Sequence, residues 1–264
     1  MDILKRSIAP ITETAWAEID EQAKDILETR LSARKVIDVS EPKGWDYSSV
    51  PMGRLEVRDN YTQKGVRFGI RKSRPLVETR INFTLDVWEL DDVVRGAQDI
   101  DLSPLEDAVM KAADFEEQAI YYGLEEGEME GLFGESEESI SISEDPRSIV
   151  EATAEGVSAL GNSGIEGPYA LVLTSDSWRK VQSQTQGYPL EKQLEDLLEG
   201  PVLSSANIDN PFLISTRGGD AELILGNDFS IGYEDHSNQE VTLFVTESFT
   251  SRVIEPAAII TLEQ

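Results

Sequence analysis

From Val77 the chain alternates without a break, with Val77, Thr79, Ile81, Phe83, Leu85 and Val87 on one side and Glu78, Arg80, Asn82, Thr84 and Asp86 on the other. A period of two is the mark of a half-buried strand. This one outruns the roughly 5–6 residues of an ordinary strand, so a long strand is expected over 76–90, with Trp88 on its polar face. Upstream, Leu55 and Val57 alternate with Arg54, Glu56 and Arg58, and Val66, Phe68 and Ile70 with Arg67, Gly69 and Arg71. Asp59, Asn60 and Gly65 supply the turn between them. The pair reads as a hairpin with one apolar stripe and four arginines. Such a hairpin is marginal alone in water and must lie on another surface, which could be that of another chain.

Elsewhere the period shifts to 3.6. Thr12 can cap a helix carrying Trp16, Ile19, Ala23, Ile26, Leu27 and Leu31 at steps of three and four, and RKVIDV then turns strand-like until Pro42 and Gly44 break it. Ser103-Pro104-Leu105-Glu106 reads as a cap, a first-turn proline and a capping box. The helix behind it, 104–122, aligns Leu105, Val109, Ala112, Phe115 and Ala119, and is long enough to be a spine. Between Tyr121 and Asp145 there is no Lys or Arg, which reads as an exposed acidic loop anchored by Leu132, Phe133, Ile140 and Ile142. Pro146 opens a helix closed by Gly161, YALVLT is a buried-type strand, helices follow at Ser177–Gln184 and Leu190–Leu198, and short strands at Pro201–Ser204 and Phe212–Thr216. This is a compact mixed unit. From Ala221 the chain is all strand again. The strands at 76–90 and 239–254 are expected in one sheet on the 104–122 helix, with the 146–216 unit inserted between them, and Phe244 needs a partner on its own face.

Composition narrows the functions open to such a chain. Its 264 residues are 39% hydrophobic, enough for a real core. Lys and Arg total 23 against 51 Asp and Glu, a net charge of −28, which repels phosphate backbones and anionic membranes, so neither nucleic acid nor membrane is an expected partner. There is no cysteine, and no apolar run long enough for a secretory or membrane segment, which suits a cytoplasmic protein.

Candidate chemistry is sparse. His236 is the only histidine and falls in a polar turn, a poor place for a catalytic base. GNSG at 161–164 follows a helix, whereas an esterase elbow follows a strand. Asp91/Asp92 and Glu125/Glu126 lack the ligand spacing of a calcium loop. RGGD at 217–220 and LGND at 225–228 supply turn glycines without leading from a strand into a helix as a phosphate cradle does. Trp16, Trp45, Trp88 and Trp178 read as core or interface aromatics. No cofactor and no metal site are expected, and the unsupported hairpin favours a structural, self-assembling protein.

MDILKRSIAPITETAWAEID, FTLDVWELDD, GIEGPYALVL with YPLEK after it, and LILGNDFSIGYEDH followed by TESFT stand in this order along the chain. With those blocks the whole chain resembles the encapsulins, bacterial and archaeal nanocompartment shell proteins once described as linocin-type bacteriocins. The resemblance implies an α+β fold, that of tailed-phage major capsid proteins of the Hong Kong 97 phage type. It maps 1–49 to the N-terminal helix and the start of a peripheral domain, 50–75 to an extended loop, 76–132 to the peripheral domain with its spine helix, 133–220 to an axial domain, and 221–264 to a return to the peripheral domain.

The same resemblance implies an icosahedral homo-oligomer, sixty subunits in its smallest form, enclosing a cargo enzyme such as a ferritin-like iron-storage protein or a heme peroxidase. The cargo's C-terminal targeting peptide would dock at Leu27, Leu31, Arg34, Ile37 and Asp38, with Arg252 and Ile254 contributing. Gln184, Thr185, Gln186, Gly187 and Tyr188 would border a pore. Leu55, Val57, Val66, Phe68 and Ile70 of the extended loop would be completed by the next subunit. A prophage capsid protein, a peptidase and a small monomeric binding protein are the alternatives. The acidic chain speaks against the first, and one His with no Cys leaves the second little machinery.

Overall fold

The computed structural model describes residues 2–58, 66–183 and 188–263. Helix α1 (Glu13–Arg30) starts at Thr12, whose hydroxyl accepts the Ala15 N–H, and a two-residue strand β1 (Asp38–Val39) follows a turn at 31–37. The chain then makes an arm from β2 (Ser49–Val57) and β3 (Gly69–Pro75) and enters the long strand β4 (Val77–Asp86). Helices α2 (Val87–Arg95) and α3 (Ser103–Tyr122) come next.

A small hairpin of β5 (Gly123–Leu124) and β6 (Met129–Glu130), the short α4 (Leu132–Glu135) and strand β7 (Glu138–Ser141) lead to α5 (Pro146–Asn162). Strand β8 (Tyr169–Thr174), α6 (Ser175–Ser183), α7 (Leu190–Leu198), β9 (Val202–Ser205) and β10 (Phe212–Ser215) complete the middle of the chain. The last part is strand: β11 (Ala221–His236), β12 (Glu240–Val253) and β13 (Ile259–Glu263).

Two sheets carry the fold. One has the order β1-β11-β12-β4, the other β7-β13-β10-β8-β9. In the first, β4 pairs antiparallel with β12 from Val77↔Phe249 to Asp86↔Glu240, so the alternation begun at Val77 is matched residue by residue. Its apolar face, with Phe83, Leu85, Leu243 and Val245, packs against Trp16 and Ile19 of α1 and Leu105 and Val109 of α3. Removing each such side chain from water contributes about 1.5–3 kcal/mol. On the other face Phe244 lies opposite Gly232, where a Cβ would come within 2.2 Å of its ring, and the Arg80 guanidinium stacks on its far side at 4.0 Å. A second core joins the two sheets: Ala119, Ile120 and Tyr121 at the end of α3 meet Val172 and Phe212 of one sheet and Leu223 and Phe249 of the other. The helix expected to be a spine therefore touches both layers.

The structure corrects several expectations. The long strand stops at Asp86, because the Asp86 carboxylate accepts the Trp88 N–H at 2.7 Å and caps α2. Trp88 therefore stands on a helix and not on a strand's polar face. Ser103 is the first residue of α3 and makes no capping box; Asp101 accepts its N–H at 3.0 Å instead. The 121–145 segment is not loop throughout, since it holds β5, β6, α4 and β7, while its expected anchors stand, with Leu132, Ile140 and Ile142 buried and the Phe133 ring 5.4 Å from Phe212. The closing strand β13 joins the second sheet, beside β10 and β7, rather than the first. In the arm, Leu55 lies opposite Arg71 and Glu56 opposite Ile70. Residues directly opposite share a face, so the apolar positions are divided between both faces and do not form one stripe. Alternation within each strand cannot reveal this, since register alone decides which faces coincide. The turn residues Asp59, Asn60 and Gly65 lie outside the described residues.

Candidate functional site

A groove of about 780 Å³ runs along α1. Its floor and walls are apolar, from Leu4, Ala23, Leu27 and Leu31 on the N-terminal side and Val109, Phe229, Ile231 and Val245 opposite, while Arg6, Asp20, Lys24, Glu28, Arg34, Lys35 and Asp228 edge it. The N-terminal segment is hooked to the sheet by the Tyr233 N–H, which the Leu4 carbonyl accepts at 2.8 Å. Arg6 stacks 3.9 Å over Trp16 and donates to both Asp20 oxygens, at 3.1 and 2.7 Å. On the opposite wall the pairing of β11 with β12 slips between Leu225 and Ser230. There the Asn227 amide donates to the Asp228 carbonyl and the Ser230 hydroxyl. That irregularity brings Asp228 and Phe229 to the groove, as bulges re-aim side chains elsewhere.

The turn after α1 is fixed by two neighbouring carboxylates of the spine. Glu117 accepts from the Ser32 hydroxyl and from the Ala33 N–H at 2.8 Å. Burial pushes its carboxyl up to about 7 against the pull of those two donors. Glu116 takes Arg34 in a fork at 2.8 and 2.5 Å, and the same guanidinium reaches Glu247 at 2.6 Å and Asp228 at 2.9 Å. Burial opposes the Arg34 charge, yet the bond and proximity to Glu116, with Glu247 and Asp228 behind it, push its pKa further up. Glu247 is wholly buried, and among the described residues its second oxygen has no partner. Desolvation first, then Glu116, holds its carboxyl well above the ordinary range. One guanidinium thus organises three carboxylates at the groove's end.

Of the residues expected to dock a peptide, Leu27, Leu31 and Arg34 meet in this groove. Ile37 and Asp38 line a separate recess of about 100 Å³ that shares only Lys35 with it, and there Asp38 accepts the Gly219 N–H at 2.6 Å. Arg252 is bonded to Glu222 on the neighbouring strand, which in turn lies opposite Asp38. Ile254 is half-exposed just beyond β12. Sequence reasoning missed Leu4, Phe229, Ile231 and Val245; the signal available was LGNDFS, where Asn and Asp inside a strand-like run mark an irregular turn. Gln184, Thr185, Gln186 and Gly187 lie outside the described residues, and Tyr188 is exposed with its hydroxyl 3.2 Å from Asp196. Val66, Phe68, Ile70, Leu55 and Val57 are all exposed on the arm. His236 is bonded through Nδ1 to the Tyr233 hydroxyl. Among the described residues no cluster of three or more His, Asp or Glu could hold a metal, and no helix is long and apolar enough to cross a membrane.

A spine helix joining two sheets, with a two-stranded arm projecting from one of them, is the architecture of tailed-phage major capsid proteins. The chain is similar to the virus-like particle protein of Pyrococcus furiosus with a TM-score of 0.68 at 18% identity, covering 94% of this chain and 99% of that one. It is similar to the capsid of Myoviridae phage XM1 with a TM-score of 0.56 at 11% identity, covering 88% and 90%. These likenesses establish the capsid fold. Residues 1–250 match the family described as "Encapsulating protein for peroxidase". Type 1 encapsulin shell proteins of Mycobacterium tuberculosis (37% identical, 95% of each chain), Rhodospirillum rubrum (38%, 99% of this chain and 96% of that one) and Rhodococcus erythropolis (36%, 99% and 100%) are similar over nearly their full length. The chain belongs to this family, the encapsulin shell proteins.

Proposed function

We propose that this chain is the self-assembling subunit of an icosahedral, cytoplasmic nanocompartment of sixty copies, and that the groove along α1 receives the C-terminal targeting peptide of an enclosed enzyme. A heme peroxidase or a ferritin-like iron-storage protein is the cargo we infer. The observation that carries the docking reading is the groove itself: an apolar trough with charged edges, of a size suited to a short peptide segment. Leu27, Leu31, Phe229 and Ile231 supply the contacts. Arg34, already engaged by three carboxylates, shapes the wall rather than pairing with the guest. Ile37, Asp38, Arg252 and Ile254 stand outside the trough, with Asp38 on the edge strand β1 and Arg252 on the interior strand β12. Gln184 to Tyr188 border a pore for small solutes, and the arm joins neighbouring copies. The subunit has no catalytic role, in keeping with relatives that are named shell proteins.

Size exclusion with light scattering tests the assembly. A megadalton particle supports it, and a 29.3 kDa species at every salt and pH rules it out. For the docking reading, Leu31→Asp is expected to yield particles of normal mass with most of the co-purifying cargo lost. Unchanged loading would move the dock elsewhere.

A further inference from the structure

The arm carries the opposite charge from the rest of the chain. Residues 49–75 hold seven Lys or Arg and two Asp or Glu, which leaves 16 and 49 for everything else. Within the body most cations sit by carboxylates, as Arg6 by Asp20, Arg30 by Asp114, Arg80 by Glu234 and Arg95 by Asp91 and Asp92, and those that do not, such as Lys43, Lys111 and Arg147, are scattered along the chain. On the arm, Arg74 at its base is buried and paired with Glu130 at 2.7 Å and Arg58 has its neighbour Glu56, but Arg54, Arg71 and Lys72 are exposed and among the described residues no carboxylate lies within ion-pair reach of them. In a chain with more than twice as many carboxylates as cations, the arm is the segment where positive charge is concentrated and three exposed cations stand together. The apolar positions tell the same story. Leu55 shares a face with Arg71, Ile70 shares the other with Glu56, and both leucine and isoleucine are more than half exposed.

We propose that the arm seats on a carboxylate-rich surface of a second copy of the chain, with Arg54, Arg71 and Lys72 as its ionic anchors. Ionic strength then sets how firmly copies lock. This rests on the shell reading above and adds the chemistry of the contact and its control. The occupant follows from charge complementarity: the body of another copy, 33 negative charges in excess outside the arm, is the surface that a +5 arm fits. Contact between exposed ions weakens as the screening length shrinks from about 10 Å at 0.1 M salt to about 3 Å at 1 M. Repulsion between acidic bodies is screened as well and grows in the variants, since three reversals take the net charge from −28 to −34. The variant Lys43→Glu/Lys111→Glu/Arg147→Glu changes three exposed cations outside the arm and carries that same −34. Its assembly threshold is expected to stay well below that of the arm reversal, and an equal rise overturns the ionic seat.

The experiment compares the full-length protein, the reversal variant Arg54→Glu/Arg71→Glu/Lys72→Glu and the neutral variant Arg54→Gln/Arg71→Gln/Lys72→Gln. The readout is the subunit concentration at which half the protein is in megadalton particles, by light scattering, at salt from about 0.05 to about 1 M. At low salt the reversal variant is expected to need at least about tenfold more protein than wild type, the neutral variant an intermediate amount, and both gaps are expected to narrow as salt rises. Equal thresholds, or gaps that salt does not change, overturn the ionic seat while leaving shell assembly standing. A wild type that stays a single subunit throughout overturns the shell reading itself. Circular dichroism reports folding, and if the reversal variant fails to fold, the neutral variant decides. Loss of binding to a short fluorescent DNA duplex, with thresholds unchanged, would assign these cations to nucleic acid instead and overturn the proposal.

Discussion

Arg34 and three exposed cations of the arm, Arg54, Arg71 and Lys72, handle charge in opposite ways within one chain. Arg34 is only 16% exposed and has three carboxylates on its guanidinium; Arg54, Arg71 and Lys72 are exposed, and among the described residues none has a carboxylate partner. The difference follows from solvation. Taking an ion out of water costs several kcal/mol, so a buried charge has to be matched inside the subunit as it folds. An exposed charge keeps its water and can wait for a partner supplied later. The inner charges therefore belong to the definition of the subunit, and the outer ones are free to define how subunits meet.

The strongest way to break that contrast is to remove Arg34. Arg34→Ala leaves Glu116 and Glu247 buried and without their cation, and is expected to destabilise the protein by about 3–5 kcal/mol, read from the urea midpoint. Because burial, then Glu116, already favours the protonated form of Glu247, Glu247→Gln replaces it with a neutral group of like shape and should cost less than about 1 kcal/mol. Equal losses for the two would show that hydrogen-bond geometry, not charge matching, holds the cluster.

Next in size is a pH effect at Glu117. Burial raises this carboxyl from 4.5 to about 7, so the folded chain holds the proton more tightly than the unfolded one. Its contribution to stability is full below about pH 4.5, drains as pH rises, and is lost as pH passes through about 7. The change is on the order of 3 kcal/mol. Glu117→Gln should flatten that decline between pH 5 and pH 8 in thermal unfolding, with Glu247 leaving a residual slope of the same sign. Arm variants should follow the wild-type curve.

A smaller effect is expected at the groove. Phe229→Ala removes an aromatic wall of the groove whose ring lies 5.0 Å from the Arg34 guanidinium. It should lower the ratio of co-purified cargo to shell protein through about tenfold weaker binding, roughly 1.4 kcal/mol, with particle mass unchanged. Gel densitometry of purified particles checks this. A variant that fails to assemble would make Phe229 part of the shell contact instead.

How much of this was legible in the sequence depended on range. The β4 and β12 pairing was readable because alternation is local and long, and α5 and α7 because Pro146 and the Leu190, Leu194 and Leu198 spacing mark them within a few residues. The end of β4 was not, since Asp86 fits a polar strand face as well as a helix cap until the next turn of chain is seen. Leu27, Leu31 and Arg34 could be picked from α1 and its exit. Their opposite wall could not: Glu116, Asp228 and Glu247 are 82, 194 and 213 residues from Arg34, and no periodicity carries that distance. Phe229 was hidden for a different reason, as LGND reads as an ordinary turn while it is an irregularity within one long strand.

The smallest effect on the subunit is expected from Leu55→Ser/Ile70→Ser, and it sharpens the comparison most. Both side chains are already more than half exposed, and exposed substitutions ordinarily change stability by no more than about 0.5 kcal/mol. The urea midpoint should therefore stay at the wild-type value. The two residues lie on opposite faces of the arm, so a neighbour that grips the arm from both sides would lose apolar contact twice, and the concentration needed for particles should rise. The single variants separate the faces: equal rises from Leu55→Ser and Ile70→Ser mean that both are covered in the assembled shell, whereas a rise from one alone means that the other face looks out to solvent. A lowered urea midpoint in the double variant would mean instead that the arm folds back on its own subunit, and the division between inner and outer charges would then lose its physical basis.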